Sequence, residues 1–140
     1  MDWVHIFHIN HKGTKNMKEV NDLSKRVIGC AIEVHKVLGP GLLENAYEEC
    51  LFYKIRKEGM WVEKQKSLPL YFEEVKMDVG YRIDLIVESK LIIEVKSVKE
   101  FDDVHLAQVL TYLKLSKIKL GLLINFNVHR LAEGIKRVVL

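Results

Sequence analysis

Two apolar runs separated by a short polar turn constrain this chain more than any other segment. Tyr81-Arg82-Ile83-Asp84-Leu85-Ile86-Val87 is followed by Glu88-Ser89-Lys90 and then by Leu91-Ile92-Ile93-Glu94-Val95-Lys96. Runs rich in β-branched residues around a polar turn predict a β-hairpin. With the turn centred on Ser89, Asp84 lies directly opposite Glu94, where side chains on one face sit about 4.5–5.5 Å apart at Cβ. Side chains alternate along a strand, so Glu94 and Lys96 share a face and Val95 points away. The opposite face reads Ile83, Leu85, Val87, Ile93 and Val95, while the face with the charges also carries Ile86 and Ile92. Both faces are therefore expected to be covered, and charges placed there need a reason.

Two carboxylates and an ammonium on such a patch admit two readings. The plainer one is a cross-strand salt bridge from Asp84 or Glu94 to Lys96, which suits a sheet with one wet face. The other is a cation site. Opposed carboxylates repel, and leaving both ionised in a half-buried place is costly. A divalent ion between them removes that cost, and Mg²⁺ is commonly held by one or two carboxylates, waters and a substrate phosphate.

The pattern Asp84, then Glu94-Val95-Lys96, resembles the PD-(D/E)XK nuclease superfamily. The closer resemblance is to its GxxExxY branch, whose motif stands here as Gly41-Leu42-Leu43-Glu44-Asn45-Ala46-Tyr47. It extends from about Leu23 to Leu140. It takes in Ile32 to Gly41, Gln108-Val109-Leu110-Thr111-Tyr112-Leu113, Gly121-Leu122-Leu123-Ile124-Asn125-Phe126 and Gly134-Ile135-Lys136-Arg137. No proline precedes the aspartate in Gly80-Tyr81-Arg82-Ile83-Asp84. The resemblance implies a restriction-endonuclease-like α/β core, a mixed central sheet flanked by helices. It also implies a metal-dependent nuclease that hydrolyses phosphodiester bonds of nucleic acid, with DNA the expected polymer. Asp84 and Glu94 would ligate Mg²⁺ or Mn²⁺, with the Val95 carbonyl as an extra ligand and Glu44 completing the shell. Lys96 would orient the attacking water, and Gln108 and Tyr112, four apart on one helix, would position substrate. The alternative is a non-catalytic module that keeps the fold and binds nucleic acid or a protein partner.

Length and charge fit this frame. The chain has 140 residues, room for one domain, and a net charge of +3. Its 22 lysines and arginines divide equally between the halves, so no basic stripe marks a strong nucleic-acid binder. Modest, salt-sensitive phosphate contact is compatible with that spread. Cys30 and Cys50 fit neither a zinc pattern nor a disulfide framework, and both are expected as buried, reduced thiols of a cytoplasmic protein. No segment has the length of a membrane span. The sequence marks no oligomer interface, although a homodimer or a larger complex is the common way for a small nuclease to act on two strands.

The periodicity predicts helices over about Val20–Leu38, Leu43–Glu58 and Asp103–Leu115. Helix two is expected to bury Ala46, Tyr47, Cys50, Leu51 and Ile55. Strands are expected at Val62–Phe72, interrupted at Pro69 as at an edge or bulge, through the hairpin, and at Leu120–Asn125. A short helix or strand would close the chain over Leu131–Leu140. Residues 1–17, with His5, His8 and His11, read as a flexible extension ahead of a single domain over residues 18–140. His35 is expected on the outer face of its helix, His105 near the charged patch, and Asp102 or Asp103 as a helix cap.

Overall fold

The computed structural model describes residues 10–140, with side chains from Met17 onward. Helix α1 spans Asn10–Leu38 and α2 spans Glu44–Lys57. Strands β1 (Val62–Phe72), β2 (Val75–Val87) and β3 (Leu91–Lys96) form a meander. Helix α3 (Asp103–Ser116) crosses over to β4 (Leu120–Asn125), and a 3₁₀ turn at Leu131–Gly134 leads into β5 (Ile135–Val139). The five strands form one sheet in the order β1-β2-β3-β4-β5, with β3 and β4 parallel and the other pairs antiparallel. A parallel pair requires a crossover, and α3 supplies it.

The sheet is covered on both faces. On one, Val27, Ala31 and Val34 of α1 and Tyr47, Leu51 and Ile55 of α2 pack on Leu85, Ile93, Val95, Leu122 and Ile124. On the other, Val109, Tyr112 and Leu113 of α3 pack on Ile83, Ile86, Ile92, Leu123 and Val138. At Gly121 the α3 layer comes so close that a Cβ would stand 2.7 Å from a Val109 methyl carbon. Among the described residues, no helix is long and apolar enough to cross a membrane.

Several expectations shift. Ile83 belongs with Ile86 and Ile92 on the α3 face, not with Leu85 and Val87. Strand alternation therefore breaks at Asp84, a break the apolar pattern does not register. Cys50 is exposed while Cys30 is buried, because α2 turns Glu48 inward with Tyr47, Leu51 and Ile55. His35 is buried too, its Nε2 2.7 Å from the Val128 carbonyl. Helix α1 begins at Asn10, inside the segment read as an extension. His5 and His8 lie outside the described residues, as does the side chain of His11. Pro69 falls on an edge strand, and the register slips between Pro69 and Tyr71, as the sequence suggests.

Candidate active site

The β2–β3 register places Leu85 opposite Ile93, Ile86 opposite Ile92 and Val87 opposite Leu91. The ladder stops there. One step further, side chains take over the backbone donors. The Asp84 N–H donates to Glu94 Oε1 at 3.0 Å, and the Val95 N–H donates to Asp84 Oδ2 at 2.9 Å. The two carboxylates thus lock the strand ends to each other, in the opposed register the hairpin pattern predicts.

A third carboxylate joins them from the helical layer. Glu48 of α2 is buried, with the Asp84 carboxylate near enough to raise its proton affinity. Its Oε1 accepts from Gln65 Nε2 at 2.7 Å, and the same nitrogen lies 3.3 Å from Asp84 Oδ1. Gln65 sits in β1 with φ +52°, a left-handed conformation uncommon for a residue with a side chain. Glu44, the helix residue expected here, is exposed in the first turn of α2 and has no hydrogen bond to the cluster among the described residues. The two glutamates are one turn apart, and only the second lies far enough along α2 to be covered by the sheet.

Burial and mutual repulsion govern the protons. Burial, reinforced by the Asp84 charge, pushes the Glu94 carboxyl up to about 8. The same two causes raise Glu48 to about 7. Glu94 is 2% exposed, so water does little to relieve it. Lys96 leaves the end of β3 on the same side, and its Nζ donates to Gln108 Oε1 at 3.3 Å. Gln108 Nε2 in turn donates to the Tyr112 hydroxyl at 2.8 Å. Burial, and then the Glu94 charge, raise the Tyr112 hydroxyl to about 12, so it stays neutral. Gln108 and Tyr112 thus project to one side of α3, with Gln108 joined to Lys96.

The flanking loops fix this arrangement. Asn125 is buried; its Oδ1 accepts from the Val98 and Asn127 N–H groups and its Nδ2 donates to the Val98 carbonyl. That pins the chain just beyond Lys96. Ser97 Oγ donates to the Leu42 carbonyl at 2.7 Å. The Tyr47 hydroxyl donates to the Gly39 carbonyl and accepts from the Leu42 N–H, while its ring stacks on Phe126 at 4.5 Å. In Gly41-x-x-Glu44-x-x-Tyr47, the tyrosine thus braces the loop against the sheet. His105 is engaged elsewhere, closing a reciprocal cap with Asp102 at the start of α3.

A family model, the PD-(D/E)XK nuclease superfamily, matches residues 21–138. The chain belongs to that superfamily. Its members are usually hydrolytic nucleases and typically use divalent metals. No curated protein and no solved structure matches the chain. Among the described residues, no group of three or more His, Cys, Asp or Glu side chains is placed to hold a metal ion. The type of donor, though, is the one a hard divalent ion prefers. Asp84, Glu94 and Glu48 offer oxygen ligands only, and burial together with the Asp84 charge makes Glu94 and Glu48 hold their protons more tightly than free side chains do.

The sequence pattern missed two members of this cluster. Glu48 was hidden because Cys50 competes with it for the buried stripe of α2. Gln65 lies in the polar run Glu63-Lys64-Gln65-Lys66, where nothing in residue type distinguishes it.

Proposed function

We propose that this superfamily member is a Mg²⁺- or Mn²⁺-dependent phosphodiesterase of the GxxExxY branch that cleaves nucleic acid, with DNA as substrate. The observation that carries the reading is the meeting of Asp84, Glu94 and Glu48 with Lys96 where the β2–β3 ladder ends. Asp84, Glu94 and Glu48 would hold the ion, with the Val95 carbonyl beside them and Glu44 outside the shell. Such an ion polarises a phosphoryl oxygen and acidifies bound water.

The chain's own groups do the rest. Lys96, steadied by the Gln108 amide, presents an ammonium beside the carboxylates. There it orients the attacking water and stabilises charge building on the phosphoryl oxygens. Gln108 can donate and accept, so it sets the Lys96 head group while remaining available to a phosphate oxygen. Tyr112 fixes Gln108 from the other side. Free thiols at Cys30 and Cys50 support a reducing, cytoplasmic setting.

The test is cleavage of end-labelled single-stranded DNA, duplex DNA and RNA with Mg²⁺ or Mn²⁺, beside Asp84→Ala and Lys96→Ala. Each substitution should lower cleavage on the order of 10³-fold while circular dichroism shows a folded domain. Cleavage retained in both variants would sink the assignment. Folded parent protein that binds nucleic acid without cutting it would favour a binding module instead.

A further inference from the structure

Gln65 is a residue for which neither sequence pattern nor superfamily membership specifies a role. It lies on the edge strand β1, whose neighbours Lys64 and Lys66 pair with Leu85 and Ile83 of β2. Gln65 falls between those pairs, level with Asp84, and its backbone is left-handed at φ +52°. A residue held in a sparsely populated conformation within a strand must be kept there by its surroundings. What keeps it is the amide: Nε2 reaches Glu48 Oε1 at 2.7 Å and Asp84 Oδ1 at 3.3 Å. One nitrogen with two N–H groups thus ties a carboxylate on the helical layer to one on the sheet.

Residue type matters at this point. A lysine or arginine would also join two carboxylates, but it would neutralise them and occupy the cation's electrostatic role. An uncharged amide holds them together and leaves their negative charge for an ion. Glutamine is also long enough to reach from the edge strand to Glu48 on α2 and to Asp84 on β2.

Resting on the proposed metal-dependent reading, we infer that Gln65 is a positioning residue that presets Glu48 against Asp84 for a divalent cation. Its backbone kink is the means by which β1 delivers the amide. The experiment titrates MnCl₂ into the parent, Gln65→Gly and Gln65→Lys, following binding by calorimetry and stability by thermal denaturation. Glycine accepts the positive φ without strain, so Gln65→Gly should stay folded, with its Mn²⁺ midpoint raised about tenfold or more. Gln65→Lys supplies a fixed charge, and should lose Mn²⁺-induced stabilisation while the ion-free protein melts higher at pH 8. A Gln65→Gly midpoint within about twofold of the parent's, below the usual effect of a supporting residue, would overturn the inference alone. Absence of Mn²⁺ binding by the parent would overturn the reading beneath it.

Discussion

Strand β2 holds two different environments along one continuous backbone. Its inner end, Ile83 to Val87, is almost entirely buried between two helical layers, while its outer end, Val75 to Arg82, is largely exposed. The outer half pairs only with β1, and together they form an arm whose apolar side chains Tyr71, Phe72, Val75 and Val79 are each more than half exposed. Asp84 lies near the junction. The inner end supplies rigidity and low dielectric, which sharpen the interactions of charges placed there. The outer end contributes little to the core. A carboxylate at the boundary is held firmly from within while remaining reachable from solvent.

The comparison predicts its largest effect at the inner end. Leu85 is fully buried, and Leu85→Ala should cost ~3 kcal/mol in urea denaturation. The equivalent truncation on the arm, Val79→Ala, should stay within ~0.5 kcal/mol. Equal losses would mean that the arm shares the core's packing.

Most of this division can be read in the sequence, and the reasons it fails elsewhere are local. The hairpin, the opposition of Asp84 and Glu94, the shared face of Glu94 and Lys96, and the common side of Gln108 and Tyr112 follow from strand and helix periodicities that tertiary packing leaves intact. Ile83 breaks the pattern because side-chain alternation is interrupted at Asp84, and Gln65 because a left-handed strand residue leaves no mark on composition. Glu48 is legible only with the correct rotational phase of α2. Cys50, which a hydrophobicity scale favours for burial, points that phase the wrong way.

The next effect comes from buried charge. Folded Glu94 keeps its proton until about pH 8, against 4.5 for a free side chain. Between those values the native state binds more protons than the unfolded one. Its stabilisation is therefore complete below about pH 4.5 and is lost as pH rises toward 8. Glu94→Gln keeps an acceptor for the Asp84 N–H but cannot ionise. At pH 8 without divalent ions it should exceed the parent's stability by ~2 kcal/mol, with a flatter pH profile. An unchanged profile would show that Glu94 is better solvated than its burial implies.

A smaller contrast separates two glutamates on one helix. Glu48→Gln should weaken Mn²⁺ binding about tenfold or more, whereas Glu44→Gln should leave it within about twofold. The two differ in burial and in contact with Asp84, not in residue type. If Glu44→Gln proves the more damaging, the site extends past the end of α2 and its boundary must be redrawn there.

The smallest expected effect tests whether the arm folds with the core. Its tip joins Phe72 to Val75 through Glu73 and Glu74, both at positive φ (51° and 69°). Two left-handed residues in a two-residue hairpin loop favour Asn-Gly strongly over Glu-Glu. Glu73→Asn with Glu74→Gly should therefore stabilise the arm by ~0.5–1 kcal/mol, and also remove two adjacent negative charges. Because the outer strands contact mainly each other, the gain should appear as slower hydrogen exchange near the tip. The global melting temperature should move by less than about 1 °C, since a segment that opens on its own contributes little to the cooperative transition. A larger rise would mean that the arm unfolds only with the sheet. The buried inner end and the exposed outer end of β2 would then be one cooperative unit, with stability transmitted through Asp84 from one to the other.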